Sequence, residues 1–317
     1  MATINSVSGP LDTSQLGYTL MHEHVCSWSA GMWHYWPQFM GGRETFLEHA
    51  SGVLAEAKAA GIQSFIDVTT IDLGRDIRLI AEAAKRSGMQ IVACTGHWLD
   101  PSESMKNRTA EELAEFFTME ITEGIEGTDI KAGIIKVAND EPGLTDFGRS
   151  VLKAAAAAQQ ATGVPISTHS GAKIRIGEAQ ARILEREGVD PSRVYIGHSD
   201  DTDSLGYLTG LLERGYWIGL DRIPLGAFYP PPTVAERAGV VVELVNRGFE
   251  KQICLSHDVP IGLGLVGKEQ EAKFRERIPG GILFINQTFI PMLKERGLSD
   301  SSIEQIMIGN PQKFFEG

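Results

Sequence analysis

The stretch Thr19-Leu20-Met21-His22-Glu23-His24-Val25 is an apolar run that carries two histidines two positions apart. Side chains two residues apart on a β-strand project from the same face, so His22 and His24 would point together while Glu23 points away. Two imidazoles side by side on a rigid strand can supply half of a metal site. They could equally be ordinary core or surface histidines, so the meaning of this pair depends on the rest of the chain.

Strand-length apolar runs recur along the chain and alternate about eight times with helical patterns. The predicted strands are 18–24, 62–68, 90–95, 133–138, 164–169, 193–198, 216–220 and 252–258. Between them, apolar residues recur at spacings of three and four, as in Phe46-Val53-Leu54-Ala57. Several helices should end at a C-capping glycine, namely Gly61, Gly88, Gly163, Gly188 and Gly215.

Strands that are apolar almost throughout are typical of a parallel sheet covered by helices. Eight such units in one chain predict an α/β fold of the (β/α)8 TIM barrel type, formed by a single domain over residues 1–317. No G-x-G-x-x-G follows the first strand, which counts against an open dinucleotide-binding sheet. We expect residues 1–17 to form a short N-terminal flap, and 224–233 and 259–279 to form long loops.

Composition excludes several classes of partner. The chain is 42% hydrophobic and 22% charged, with a net charge of -12 and no run of Lys or Arg. Nucleic acid and membrane surfaces are therefore poor partners. No apolar segment is long enough to span a bilayer, and the first ten residues do not resemble a signal peptide. The three cysteines are far apart and form no C-x-x-C, so we expect a reducing, cytoplasmic location.

Chemically unusual side chains fall where the predicted strands end, which is the end of a barrel that carries catalytic groups. The candidate metal ligands are His22, His24, Lys136, His169, His198 and Asp258. Lys136 lies inside a predicted strand, where a free ammonium would be costly to desolvate. It could pair with Asp221 or Glu141, or react with CO2 to give a carbamate able to bridge two cations. Nitrogen and oxygen donors of this number suit two divalent ions roughly 3.5–4 Å apart.

This ligand set, in this order along the chain, resembles the phosphotriesterase family of the amidohydrolase superfamily. The stretches 133–138, Ala161-Thr162-Gly163-Val164-Pro165 and Ile196-Gly197-His198-Ser199-Asp200-Asp201-Thr202-Asp203 strongly resemble bacterial organophosphate-degrading enzymes. The resemblance implies two divalent metal ions, zinc first, with cobalt, manganese or iron as alternatives. It also implies a homodimer, with the aromatic stretch after strand one as a plausible contact.

The resemblance assigns a role to each candidate ligand. His22, His24 and Asp258 would hold the more buried metal, and His169 and His198 the more exposed one. Lys136 would be carboxylated and would bridge both metals together with a hydroxide that attacks the substrate. Asp258 would accept the proton and could pass it outward to Asp201. Asp201 could instead cap the following helix.

Two residues disagree about the substrate. Arg222 stands where efficient organophosphate hydrolases tend to carry histidine, and arginine there resembles the phosphotriesterase-like lactonases. Arginine does not deprotonate in proteins, so it could orient substrate or form a salt bridge but could not relay a proton. Trp98 stands where the triesterases carry tryptophan, and it could form the wall of a substrate pocket. Phe228 and Tyr229, in the 224–233 loop, are further candidates for substrate binding as a lid.

We therefore expect a binuclear-metal hydrolase that attacks a lactone or ester carbonyl, with organophosphate triester hydrolysis as a shared or side activity. A dedicated organophosphate phosphotriesterase is the closest alternative. A non-catalytic metal-binding barrel and a metal-free barrel lyase or isomerase are remote alternatives.

Overall fold

The structure is a computed structural model that describes residues 2–227 and 230–317. Its strands are β1 (Thr3–Ser6), β2 (Gly9–Asp12), β3 (Thr19–Glu23), β4 (Cys26–Ser27), β5 (Ser64–Asp67), β6 (Gln90–His97), β7 (Ile134–Asn139), β8 (Ile166–Ser170), β9 (Val194–Ile196), β10 (Trp217–Leu220), β11 (Ile253–Leu255) and β12 (Gly262–Leu263). Its helices are α1 (Met32–Tyr35), α2 (Arg43–Ala59), α3 (Ile77–Ser87), α4 (Ala110–Thr122), α5 (Asp146–Thr162), α6 (Ile176–Arg186), α7 (Leu205–Leu212), α8 (Val234–Asn246), α9 (Lys268–Arg277), α10 (Ile290–Glu295), α11 (Asp300–Glu304) and α12 (Asn310–Glu316).

Within the described residues, eight strands form one parallel sheet, in which β3 and β5 to β11 follow one another in chain order. The register sets Gly96 opposite Lys136 and Ala138 opposite His169. The seam between β3 and β11 is bridged by the backbone N–H of Asp258, which donates to the carbonyl of His22 at 3.2 Å. The predicted (β/α)8 TIM barrel is confirmed.

Glu23 helps to close that seam. Its buried carboxylate accepts hydrogen bonds from the Ser256 hydroxyl at 2.7 Å and from the backbone N–H of His257 at 2.8 Å. The residue between the two strand-one histidines therefore faces away from their side of the strand, as the alternation predicts, and joins the first barrel strand to the last.

Local sequence signals explain where the helices begin and end. Thr109 and Glu112 form a reciprocal capping box at the start of α4, and Thr233 and Glu236 form another at the start of α8. The glycines predicted to end helices all adopt the left-handed backbone that favours this residue: Gly61, Gly88, Gly163, Gly188 and Gly215.

Two buried layers hold the barrel together. The larger lies between the sheet and the helices and includes Phe65, Ile135 and Leu152. The smaller fills the inside of the barrel and includes Met21 and Tyr195, together with Leu11 of the β1–β2 hairpin. The flap predicted for residues 1–17 thus contains a hairpin, and it closes the amino-terminal end of the strands, leaving the carboxyl end open.

The segment 259–279 differs from the loop predicted for it. It contains β12, which pairs in parallel with β4, and the ten-residue helix α9. In the described range Lys268–Arg277 no residue is buried, so no apolar spacing marks this helix in the sequence. Ion pairs one turn apart support it instead, at 2.7 Å between Glu269 and Lys273 and 3.2 Å between Glu271 and Arg275.

The second predicted loop, 224–233, begins within a 3-10 turn, Ile223–Ala227, and ends at the N-cap of α8. The candidate lid residues Phe228 and Tyr229 lie outside the described residues. Across 2–227 and 230–317, no helix combines the length and apolar character that crossing a bilayer requires.

Candidate metal centre

The predicted ligands come together at the carboxyl end of the barrel. Asp258 lies 3.2 Å from His24 Nε2, 3.8 Å from His198 Nε2 and 3.9 Å from His22 Nε2. His198 Nε2 is 2.9 Å from His169 Nδ1. The ligand atoms of His22, His24 and Asp258 all lie within 4.8 Å of one another, as a metal-binding group requires. Side chains far apart in the sequence therefore share one small space.

Each of these imidazoles has its other ring nitrogen beside a polar neighbour. His198 Nδ1 lies 2.8 Å from Asp221, and His22 Nδ1 lies 3.0 Å from the other oxygen of the same carboxylate. His169 Nε2 is 2.9 Å from Asp140, and His24 Nδ1 is 2.9 Å from the hydroxyl of Thr69. Such partners set the tautomer and the orientation of a metal-binding histidine, and leave the second nitrogen free to bind.

Thr69 shows how the tautomer is chosen. Its hydroxyl donates its hydrogen to the carbonyl of Cys26 at 3.0 Å, so toward His24 it can only accept. The proton of His24 must then be on Nδ1, and the lone pair on Nε2, which is the nitrogen beside Asp258.

Burial keeps the imidazoles of His22, His169 and His198 neutral. It lowers the pKa of His169 to about 4 against the opposing effect of Asp140, and it lowers the pKa of His198 well below its usual value, helped by the Arg222 cation. Burial and the nearby Lys136 also lower the pKa of His22. Neutral rings offer a lone pair at neutral pH, which metal binding needs.

The surroundings of Lys136 are compatible with its predicted role in a metal site. Its side chain is buried, and its Nζ lies 2.6 Å from His22 Nε2. In the part of the chain that the structure describes, it forms no ion pair with a carboxylate, so the suggested pairing with Asp221 or Glu141 does not occur. Burial lowers the pKa of Lys136 to about 8. With that pKa, roughly a tenth of the amine is neutral at pH 7, far more than in a solvated lysine, and the neutral form is the one that reacts with CO2. The donor set as a whole fits two divalent cations.

Asp258 is held by Arg222. Arg222 Nε donates to Asp258 Oδ2 at 2.8 Å, and Arg222 Nη1 donates to Asp201 Oδ2 at 2.9 Å. Burial alone would raise the pKa of Asp258, but its neighbours, the Arg222 cation among them, outweigh it and leave that pKa well below the usual range. The carboxylate therefore stays ionised. Arg222 also stands directly between Asp258 and Asp201, the two acids of the suggested proton relay.

Two of the candidate ligands occupy strained backbone. His198 has a φ of 58° and Asp258 a φ of 54°, both in the left-handed region that side chains other than glycine rarely adopt. Such a conformation costs on the order of 1–3 kcal/mol at each position and is concentrated at functional sites. Gly197, just before His198, leaves room for the contact between His22 and Asp221, because a Cβ there would lie 3.0 Å from Asp221 Oδ2 and 3.2 Å from His22 Nδ1.

The ligands form the floor of a pocket of about 250 Å³. Its apolar wall consists of Leu73, Leu225, Pro260, Leu263, Leu265 and Phe274. Trp98 and Arg222 border both this pocket and a second cavity that contains Asp140 and Asp201. The Trp98 ring meets the His169 ring edge-on, with 6.2 Å between centroids. Substrate approaching the ligand cluster would therefore contact Trp98 and Arg222.

Three residues that contact the candidate ligands are absent from the predicted site. Asp140 directly follows β7, and Thr69 lies just beyond β5, so both had the same strand-end position as the predicted ligands. Asp221, suggested above only as a salt-bridge partner, contacts the imidazoles of His22 and His198. A strand-end position could have flagged all three, but Asp and Thr are common after strands and carry no distinctive spacing.

Comparison with known proteins agrees with this geometry. The profile of the Phosphotriesterase family matches residues 2–315. This chain belongs to the phosphotriesterase family.

Relatives of this phosphotriesterase-family protein carry different names. It is 38% identical over 309 residues to an aryldialkylphosphatase of Saccharolobus solfataricus, covering 96% of each chain. It is 36% identical to a phosphotriesterase homology protein of Mycobacterium tuberculosis, covering 100% of this chain and 98% of the relative. It is 26% identical to an N-acetyltaurine hydrolase of Tetraodon nigroviridis, covering 98% and 97%. These names indicate a hydrolase, but they do not agree on the bond that is cleaved.

Proposed function

We propose that this protein is a binuclear metal hydrolase that cleaves lactones or related esters and hydrolyses organophosphate triesters as a side activity. The observation that carries the proposal is the shared space into which His22 Nε2, His24 Nε2, His169 Nδ1 and His198 Nε2 point, beside Asp258 and Lys136. His22, His24 and Asp258 would hold one cation, His169 and His198 the other, and a carboxylated Lys136 would join them. When bound, such a pair supplies a hydroxide nucleophile at neutral pH and polarises the oxygen of the attacked group.

The protein's own groups would perform the remaining work. The apolar wall that includes Leu263 and Phe274 binds the acyl or aryl part of the substrate and excludes water. Trp98, edge-on to His169, limits how the substrate can approach. Asp258, ionised and accessible at the pocket floor, accepts the proton released on attack.

An onward relay from Asp258 to Asp201 is not part of this proposal. Arg222 occupies the path between the two carboxylates, and a guanidinium does not release a proton in proteins. Both oxygens of Asp201 also accept hydrogen bonds from arginines, from Arg222 at 2.9 Å and from Arg237 at 2.8 Å. The proton would instead leave through the open pocket. Arg222 then has the role of holding Asp258 in place.

A dedicated organophosphate phosphotriesterase is the second candidate, and Trp98 at the pocket wall is the observation that favours it. The deciding experiment measures bound metal and then compares kcat/KM for a long-chain lactone with that for an aryl triester. We expect about two divalent ions per chain, a higher kcat/KM for the lactone, and loss of activity on chelation. A higher value for the triester would favour the second candidate. Bound metal without activity on either would indicate a non-catalytic barrel.

We also propose a homodimer formed through the surface of Tyr35, Trp36 and Phe39. These side chains are 80%, 65% and 72% exposed, and they follow Trp33, which is buried and stacked on Trp28 at 4.5 Å between centroids. Rigidly supported aromatic patches of this kind are unusual on monomers. Sedimentation should give twice the chain mass for the wild type and the monomer mass for Trp36→Ser with Phe39→Ser. A monomeric wild type would refute this part.

A further inference from the structure

Arg237 lies outside the pocket, in the first turn of α8, and its side chain is fully buried. Burying a guanidinium is costly unless its donors find partners. Those of Arg237 do: it donates to Asp200 Oδ2, to Asp201 Oδ1 at 2.8 Å and to the carbonyl of Pro232 at 3.1 Å. One cation thus joins a carboxylate pair beyond β9 to the segment that leads into α8.

The first connection runs through Asp200 to the end of β10. Asp200 Oδ1 accepts the backbone N–H of Asp221 at 3.0 Å and that of Arg222 at 3.1 Å. Asp200 therefore fixes the backbone that carries both side chains. Asp221 in turn contacts His22 and His198, so a shift of Asp200 would be passed through Asp221 to two candidate ligands.

The second connection runs through Asp201. One of its oxygens accepts from Arg237 and the other from Arg222 Nη1 at 2.9 Å, while Arg222 Nε donates to Asp258 at 2.8 Å. Cations and carboxylates alternate without a gap from α8 to the pocket floor. Removing the outermost cation would leave Asp201 held from one side only.

The third connection reaches the pocket wall. The 3-10 turn Ile223–Ala227 carries Leu225 into the pocket. Gly226 packs closely on the same guanidinium, because a Cβ there would lie 2.8 Å from Arg237 Nε.

We propose that Arg237 is a positioning residue for the hydrolytic centre: through Asp200 and Asp201 it holds the Asp221–Arg222 segment, and with it His22, His198 and Asp258, in the arrangement that binds metal and reacts. This inference rests on the proposed hydrolase function. Within residues 2–227 and 230–317, Arg237 contacts neither the lining of the substrate pocket nor a candidate ligand, so it acts through its neighbours.

The test uses the metal-loaded, full-length protein and the variants Arg237→Met and Arg237→Lys. Arg247→Met is the matched control. Arg247 lies at the carboxyl end of the same helix, and its ion pair with Glu243, at 2.7 Å, is exposed. Three quantities are measured on protein shown to be folded by circular dichroism: kcat, KM, and the rate at which a chelator removes metal. Mutating such supporting residues commonly costs roughly 10–100-fold in activity or metal affinity.

For Arg237→Met we expect a fall in kcat of about tenfold or more, a change in KM below about threefold, and metal removal about tenfold faster. For Arg237→Lys, all three quantities should lie between those of Arg237→Met and of the wild type. One ammonium cannot reproduce the contacts of a planar guanidinium that joins two carboxylates and a carbonyl. Arg247→Met should match wild type in all three quantities. A purely structural role would lower thermal stability but leave kcat and metal removal of the folded fraction unchanged.

Values of kcat and metal removal within twofold of wild type in a folded Arg237 variant would overturn the inference. If Arg237→Met does not fold, Arg237→Lys decides on the same criteria. The outcome is separable from the proposed function: a wild-type protein without metal or hydrolytic activity refutes that function, whereas an active wild type with unaffected variants refutes only the role of Arg237.

Discussion

The ligand cluster and the apolar wall belong to one pocket but are anchored in different ways. Lys136 and His169 lie within barrel strands, and their places are set by the register with neighbouring strands. Phe274 lies on α9, a helix without a buried residue in its described range, and packs in a small separate cluster with Leu225, Val259 and Ile278. The cluster is part of the scaffold, whereas the wall is attached to it.

Because the two parts are anchored separately, one fold can keep a reaction and change its substrate. The wall is attached to the barrel by the pairing of β12 with β4 and by Arg275, which donates to the carbonyls of Pro260 and Ile261 at 2.8 and 2.7 Å. Changes in such a segment need not disturb the strands, so the ligands stay in place. Mutations in the cluster should therefore act on metal and kcat, and mutations in the wall on substrate choice.

The largest effect should follow from Lys136→Ala. We expect a fall in kcat/KM of roughly a thousandfold, together with metal loss, because the bridging group and several kcal/mol of charge stabilisation disappear. Metal analysis and steady-state kinetics measure it, and partial recovery with an added short carboxylate is expected. Lys153→Ala, an exposed lysine of α5, is the control. Full activity of Lys136→Ala without added carboxylate would contradict the assignment.

Asp140→Asn should weaken metal binding by roughly 10–100-fold while the fold is retained, because the negative partner of His169 Nε2 is lost. Competition with a chelator of known affinity measures the change. Asp146→Asn, in the exposed first turn of α5, should leave metal affinity unchanged. Equal metal affinity in both variants would mean that Asp140 does not support a ligand.

Loading of the metal-free protein should depend on pH through Lys136. Only the neutral amine reacts with CO2, and the pKa of Lys136 is lowered by burial to about 8. The loading rate at fixed dissolved CO2 should rise about tenfold per pH unit below that pKa and level off above it. A rate that still climbed steeply above pH 9 would indicate an ordinary, solvated lysine. Added bicarbonate should speed loading of the wild type but not of Lys136→Ala.

The smallest effect should come from the wall. Phe274→Ala should lower kcat/KM for a long-chain substrate by about three- to tenfold relative to a short one, because apolar contact is lost. Metal content should not change. Phe116→Ala, on α4 and away from the pocket, should leave the chain-length preference unchanged. If Phe274→Ala reduced bound metal, the proposed independence of wall and cluster would be wrong.

Much of the architecture could be predicted because its signals are local. Apolar strands and glycines at helix ends each depend on a few adjacent residues, and they appear where expected. The helix α9 could not be predicted, since its exposed, charged sequence lacks the apolar spacing that marks a packed helix. The Glu23 contacts across the seam were also invisible, because they join residues more than two hundred positions apart.

Local sequence is enough to tell which residues stand at strand ends, and therefore which side chains could meet at the barrel mouth. Tertiary structure decided what each then does: Arg222 holds Asp258 and blocks a path to Asp201, and Asp140 and Thr69 orient their imidazoles. The cause is the separation along the chain of the residues that interact. Strand and helix periodicity is set by neighbours along the chain, whereas hydrogen bonds, tautomers and desolvation depend on groups that become neighbours only when the barrel closes.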